Sequence, residues 1–582
     1  MSRTRWRLLA AAVSLIAVLV LAAACSSSSD NKKTTTPAGG SSSTAQASAS
    51  ASGSSTAQQG GSITVQALQP QSFDPHYSGF SQDISIERMV WRGLYRLDKD
   101  NKLQPEMAAS QPQVSSDSLT YTVKLQSGLK WSDGAPLTAK DFVAGIVRTC
   151  APATAGYYVS FVYNIVGCQD FAESKATGAD LQALQDKIGV TAPDDTTVVF
   201  KLLKPQATFQ TQLAMWYTFP VPTQIVKNPA TDKWPDPTAL AFNGPFKITA
   251  YTEKSGLTLE KNPNYKSSSS HAANLDKVTE KYIEDTEQAD NAFRAGQLDE
   301  ALANLQQLSA IKSDSATKDA YFAPDVATAT LGLQMNLTHK PLDNEKVRIA
   351  LSQAIDRDQF NQVVNGGAYS PTTSWLPGDL VGIKADAFKS QIGYNPDQAK
   401  KNLADAGYPD GKGFPTLTLE IRDTPTNNAG AAFIQNAFKT VLGINLNIKT
   451  VDSKTRSADY SGMKYDFLIG GWIQDYPDPE DWIDGQFNTG GSQNFTGCSN
   501  PQLDDLFNKA KVNLDNTSRI QQYKQINEII STTICGIASL WNQPPQNYLI
   551  SPKITGMKEN STGQDALVAA DWNAENWALA KK

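Results

Sequence analysis

Residues 416–449 read TLTLEIRDTPTNNAGAAFIQNAFKTVLGINLNIK, and the fold class turns on them. Leu417, Leu419 and Ile421, then Ile444, Leu446 and Ile448, place an apolar side chain at every second position, the period of a strand with one buried face. Between the two runs, Ala429 to Val441 has helical length, so the segment is expected to be one βαβ unit. The same alternation recurs at Ile63, Val65 and Ala67 and at Tyr121, Val123 and Leu125. A second helix is expected from about Asn344 to Arg357, where Val347, Ala350, Leu351, Ala354 and Ile355 repeat on one helical face and Asp343 is placed to cap it. The body is therefore expected to be mixed α/β, and no solenoid-length repeat or internal low-complexity tract interrupts residues 60–582.

Ahead of this body the chain changes character. Arg3, Arg5 and Arg7 precede an uncharged run from Leu8 to Ala24, which ends in three alanines before Cys25, the pattern of a secretory signal. Read as a helix the run reaches only about 25 Å, short of a hydrocarbon core of roughly 30 Å. Cys25, followed by a serine tract, resembles the lipidated first residue of a bacterial lipoprotein, although Leu21 stands four places before it where three is usual. Ser26 to Gln59 contains no aromatic residue, Leu, Ile or Val, so it has nothing to bury against the entropy cost of ordering and is expected to be a tether.

About 520 residues remain, enough for roughly three domains. The formal net charge of −6 becomes −9 once the three leader arginines are discounted, which argues against a nucleic-acid partner. Cys150, Cys168, Cys498 and Cys535 are an even number in an exported chain and suggest two disulfides. Of three connectivities, Cys150 with Cys168 and Cys498 with Cys535 is favoured because each closes a single loop.

Catalytic and metal chemistry find little support. His76, His271 and His339 are scattered without ligand spacing, and no cysteine has a partner two to four positions away, so no metal is expected. Walker and GxSxG motifs are absent. Ser309 to Lys312 and Ser315 to Lys318 match SxxK without the KTG partner. Asp475, Asp478, Glu480, Asp481 and Asp484 read as a largely solvated acidic loop, with glycosidase work requiring a separation that sequence does not give. The chain is expected not to be an enzyme and to need no cofactor.

Several blocks in one order resemble the family 5 extracellular solute-binding proteins, which serve oligopeptide and dipeptide ABC importers. They are Gly93-Leu94-Tyr95 through Pro105-Glu106-Met107-Ala108; Tyr121-Thr122-Val123-Lys124-Leu125; Leu129 to Phe142, LKWSDGAPLTAKDF; Asn243-Gly244-Pro245-Phe246-Lys247; Phe293 to Asp299; and Met335-Asn336 through Ala354-Ile355-Asp356-Arg357. Much of this encodes fold: Asp133-Gly134 is turn chemistry, Thr138 a helix cap and Phe142 a packed face. The resemblance implies a periplasmic-binding-protein-like type II fold, α/β, with two lobes joined by hinge-crossing strands and an extra domain on the N-terminal lobe. Its order of segments implies a signal peptide at 1–24, a lipidated Cys25 opening a tether over 25–59, lobe one at 60–105 with 241–330 and 541–582, the extra domain at 106–240 and lobe two at 331–540.

The ligand site is implied by Tyr465 to Pro479, YDFLIGGWIQDYPDP, which resembles the family strand and loop whose Trp and Asp face the cleft. Asp475 matches the carboxylate that pairs with a peptide's α-ammonium, with Trp472, Gly471 and Ile473 on the strand beside it and Tyr157, Tyr158 and Phe80 in segments that approach the peptide in relatives. A buried carboxylate would set the register of an extended peptide while backbone at 470–474 receives it as an added strand. The plainer readings are that Asp475 caps the turn of Pro477 and Pro479, and that Trp472 and the three other aromatics are core. The implied partners are a short peptide, an ABC permease with its ATPase subunits, and the bacterial membrane through the lipid on Cys25, with the protein itself an extracytoplasmic monomer. Relatives also bind oligosaccharides, nickel, haem or other solutes, and an extracellular hydrolase or a sensor are further alternatives.

Overall fold

The computed structural model describes residues 57–98, 100–324, 326–544, 546–558 and 571–581. The expected signal, the lipidated Cys25 and most of the tether lie outside the described residues.

Residues 416–449 do form a βαβ unit. Strand Leu417–Arg422 runs parallel to Leu446–Val451, Leu417 opposite Leu446, with helix Pro425–Ala437 between them. The helix begins four residues before the expected Ala429, because Thr424 accepts a hydrogen bond from the Asn427 amide and Pro425 takes the first turn, where its missing N–H costs nothing. Its far end widens into a π turn, Phe438–Leu442, closed by Gly443 at φ 73°. Leu417, Leu419 and Ile421 are buried, as is Ile444 just ahead of the second strand. Ile448 is 40% exposed, against the alternation, because its strand is the edge of the sheet.

This unit belongs to a six-stranded sheet ordered Ser370–Pro371, Ile537–Gln543, Ala329–Met335, Phe467–Ile473, Leu417–Arg422, Leu446–Val451. Val347, Ala350 and Leu351 pack on it with Leu333, Leu419, Phe467 and Ala538. The helix over these residues departs from expectation at both ends. Asn344, not Asp343, caps it, accepting from the Lys346 amide, while Asp343 gives only its carbonyl to Arg348. It stops at Gln353, since Asp356 caps a separate helix, Arg357–Val364, through the Gln359 amide. Ala354 and Ile355 remain buried between the two.

A seven-stranded sheet is ordered Tyr321–Phe322, Tyr548–Ile550, Glu300–Leu302, Ser62–Ala67, Lys277–Tyr282, Gly256–Lys261, Phe246–Thr252, and contains the alternating Ile63, Val65 and Ala67. The chain passes between the two large sheets after Phe322 and returns after Gln543, and these crossings lie side by side because Ala329–Met335 and Ile537–Gln543 pair antiparallel. A four-stranded sheet, Gln113–Val114, Thr120–Lys124, Thr197–Lys201, Val190–Asp194, holds Tyr121 and Val123. Beside it Gly134 at φ 89° turns the chain, and the Thr138 amide donates to Asp141 at 2.7 Å to open helix Ala139–Thr149, which buries Phe142.

Cys150 is bonded to Cys168 and Cys498 to Cys535, the favoured local pairing. Deep ion pairs join the C-terminal segment to the body: Glu575 accepts from Arg92 at 2.9 Å and Arg96 at 2.7 Å, and Glu106 lies 3.4 Å from Arg92. The two guanidinium charges hold the Glu575 carboxyl down at about 2 in spite of its burial.

Candidate functional site

Strand Phe467–Ile473 is the floor of the site. It pairs with Ala329–Met335 along its whole length, but with Leu417–Arg422 only at Phe467 and Leu468. From Ile469 onward one backbone edge is therefore open. In an antiparallel ladder successive residues direct their N–H and C=O to opposite sides. The Gln474 amide donates to Thr328 on the paired side at 2.8 Å, whereas the Ile469 carbonyl accepts from the Arg456 guanidinium at 2.6 Å. The alternation thus leaves Ile469, Gly471 and Ile473 presenting their backbone groups to the open edge. Gly471 must be glycine: a Cβ there would stand 1.9 Å from the Thr330 carbonyl oxygen.

This edge faces a cavity of about 340 Å³, within the range of small-ligand pockets. Phe80, Tyr158, Gly471, Trp472, Ile473 and Asp475 all line it. Tyr157 stands behind the wall, with its ring against Phe80 and its hydroxyl donating to Ser461 at 3.1 Å. The structure therefore assembles from distant segments the residues that the sequence marked, six on the wall and one supporting it.

Asp475 is 6% exposed. Tyr158 donates its hydroxyl to one carboxylate oxygen at 2.6 Å, and the other oxygen lies 3.9 Å from the Arg88 guanidinium. Burial pushes the carboxyl up to about 6, against the pull of Arg88 and of the hydrogen bonds. Arg88 is itself shared, lying 3.5 Å from Asp571 and over the Trp572 ring. Tyr158 stacks on Tyr217 at 5.1 Å and meets Trp216 edge-on, so the carboxylate sits in an aromatic box with little water to solvate its charge.

The acidic loop is not solvated as expected. Asp475, Glu480, Asp481 and Asp484 are all buried, and only Asp478 is half-buried. Asp481 accepts from the Asp475 amide at 2.9 Å and from the Trp472 indole at 3.2 Å, so it orients both. Glu480 accepts from Gln206 at 2.9 Å and from Thr208, Asp484 pairs with Lys511, and Asp478 pairs with Arg519. Asp481 is paired within the loop, but the other four acids found partners from remote parts of the chain, which no local pattern announces. Arg88, in a helix buried from Gln82 to Val90, escaped notice for the same reason.

Helix Ser453–Ser461 covers the open side. Its serines at every fourth position reach across the cavity mouth: Ser453 to Glu284, Ser457 to Gln82 at 3.2 Å, and Ser461 to Tyr157. Ser492 adds a bond to the Tyr157 carbonyl. Among the described residues no group of three or more His, Cys, Asp or Glu is arranged to hold a metal, and no helix is long and apolar enough to cross a membrane. His76 is buried between Asp74 and the Phe219 carbonyl, His339 bonds Asp466, and His271 is exposed.

Residues 102–494 match the model of the bacterial extracellular solute-binding proteins, family 5 (middle). The oligopeptide-binding protein OppA of Bacillus subtilis is 27% identical over 464 residues, covering 78% of this chain and 83% of that one. The dipeptide-binding protein DppE of the same organism is 27% identical over 513 residues, covering 87% and 90%. The solved structure of the Escherichia coli murein tripeptide binding protein MppA shares the fold at a TM-score of 0.80, with 23% identity, over 91% of this chain and 100% of that one.

Proposed function

Because the chain belongs to the family 5 bacterial extracellular solute-binding proteins, we propose that it captures short peptides in this cavity and delivers them to the permease of an ABC importer. The observation that carries the reading is Asp475, a buried carboxylate whose nearest cation among the described residues is Arg88 at 3.9 Å, placed at the end of an open strand edge. A peptide supplies what both features lack: an ammonium for the carboxylate and a main chain for the edge. Trp472, Gly471, Ile473, Tyr158 and Phe80 then contact the ligand, and Tyr157 backs them. Relatives named for oligopeptide and dipeptide binding support the substrate class.

Our division is lobe one at 60–105, 241–330 and 541–582, an extra domain at 106–240 and lobe two at 331–540; the three sheets follow it except that Ala329, Thr330 and Trp541–Gln543 belong to the six-stranded sheet of lobe two. The lobes close by bending where the paired crossings run between the large sheets, and the closed form docks on the permease. The protein acts as a non-enzymatic, extracytoplasmic monomer held to the membrane by lipid on Cys25 after removal of residues 1–24, with the serine-rich segment as its tether. Mass spectrometry of material released from the purified protein tests the reading: a ladder of short peptides is expected. A single non-peptidic solute, or loss-free binding of N-acetylated peptides, overturns it.

A further inference from the structure

The sheet beneath the site also offers the cavity an apolar wall that the ammonium contact does not use. Strand Ala329–Met335 is buried at every position except Leu331, which is half-buried and lines the cavity. A leucine at the centre of a middle strand meets open space here because of its neighbours. It pairs directly with Gly471 on one side and with Trp541 on the other. Directly opposed residues of paired strands put their side chains on the same face, so this rung of the sheet reads indole, leucine, nothing. Over the face stand Phe360, its ring stacked on Trp541 at 5.2 Å, and Val364 one turn further along the same helix, and both line the cavity. Gly430 closes the back, since a Cβ there would lie 3.1 Å from Ile469 and 3.5 Å from both Phe360 and Val364. The polar groups at the rim are bonded to one another: the Trp541 indole donates to Gln543 at 2.5 Å, and the Asn547 amide donates to the Tyr369 hydroxyl at 2.9 Å.

Resting on the peptide-capture reading above, we propose that Leu331, Trp541, Phe360 and Val364 form a specificity chamber that selects peptides with a large apolar side chain at the third residue. A ligand strand added to the open edge places one residue opposite Gly471, with its side chain on the same face as Leu331. Because Gly471 has no side chain of its own, that of the ligand leans across it onto Leu331 and Trp541. The position follows from the period of a strand. With the ammonium at Asp475, the first ligand residue stands opposite Ile473, and the third, two places along on the same face, stands opposite Gly471. An aliphatic or aromatic side chain leaves water for hydrocarbon there. A polar one loses its water to a wall whose single polar side-chain atom, the Trp541 indole nitrogen, is already bonded.

The test is calorimetric titration of ligand-stripped protein with Ala-Ala-Ala, Ala-Ala-Leu, Ala-Ala-Asn and Ala-Leu-Ala, on wild type, Leu331→Asn and Val364→Thr. All four peptides carry the same free termini, so only the side chain differs. Leucine at the third residue is expected to bind wild type about tenfold or more tighter than alanine, and asparagine, of the same size, to gain nothing. Each variant, by putting a polar group on the wall, is expected to cut the leucine gain to about threefold or less. Equal wild-type affinity for Ala-Ala-Ala and Ala-Ala-Leu overturns the chamber while leaving peptide capture intact. An equal gain from Ala-Leu-Ala, or a leucine gain unchanged in both variants, overturns it as well. Failure of wild type to bind any of the four is instead failure of the capture reading. Val364→Thr, which keeps the shape of the side chain, serves should Leu331→Asn not fold.

Discussion

At the scale of single residues, Asp475 is a group whose charge depends on what occupies the cavity. Its carboxyl is raised to about 6, so the proposed ammonium contact, which needs the ionised form, is expected to weaken as pH falls through that value. The affinity for a free-amine peptide is expected to drop between pH 7 and pH 5 in wild type, and calorimetry should find that dependence absent for an N-acetylated one. Asp475→Asn removes one partner of a buried ionic contact, a loss of about 2–5 kcal/mol, or at least about 30-fold in affinity. Asp481→Asn is expected to weaken binding less, through the aim of Asp475 and Trp472, and to shift the indole fluorescence. Asp475 and Trp472 could be picked out from the sequence because they sit in a recognisable strand and loop. Asp481 could not, since its role follows from a turn that folds the loop back on itself.

At the scale of elements, two features hold the site in shape. The strand Phe467–Ile473 needs a glycine where it passes Thr330, so Gly471→Ala is expected to push the two central strands apart, lowering both thermal stability and peptide affinity. The serine face of Ser453–Ser461 makes the cross-cavity bonds, and replacing Ser453, Ser457 and Ser461 together by alanine should loosen closure while leaving the helix intact. Small-angle scattering should then show a larger radius of gyration for the variant with peptide present than for wild type. Alternation in sequence located the strands but not their neighbours. It could not say that Ile448 would lie on an edge, or that Leu417–Arg422 would release its partner after Leu468 to leave a strand edge open.

At the scale of the whole molecule, stability and ligand capture are linked through buried acids. Asp83 and Glu480 are pushed up to about 7, Glu280 to about 8 and Asp475 to about 6, each chiefly by burial. A carboxyl with a raised folded-state pKa holds its proton more tightly when folded than when unfolded, so ionising it on raising the pH costs stability. The ligand-free protein is therefore expected to melt higher at pH 6 than at pH 8, a gap that a bound peptide narrows by neutralising Asp475. Glu575 works in the opposite sense: held down at about 2, it contributes stability that is complete above its ordinary value of 4.5 and lost as pH falls toward 2. Glu575→Gln leaves Arg92 and Arg96 short of a counter-charge and is expected to cost about 3–5 kcal/mol in urea unfolding.

By itself the sequence determined the α/β class and the βαβ unit at 416–449, and favoured the local cysteine pairing, because periodicity, turn chemistry and spacing are properties of neighbouring residues. It also marked Asp475 and the strand before it, through the resemblance carried by that segment. Only the tertiary structure decided that the acidic loop is buried and that Arg88, Tyr158 and Asp481 surround Asp475. Apart from the turn that brings Asp481 onto Asp475, these contacts join residues tens to hundreds of positions apart, and burial, which sets the strength of every charge in the cavity, exists only once the chain has folded.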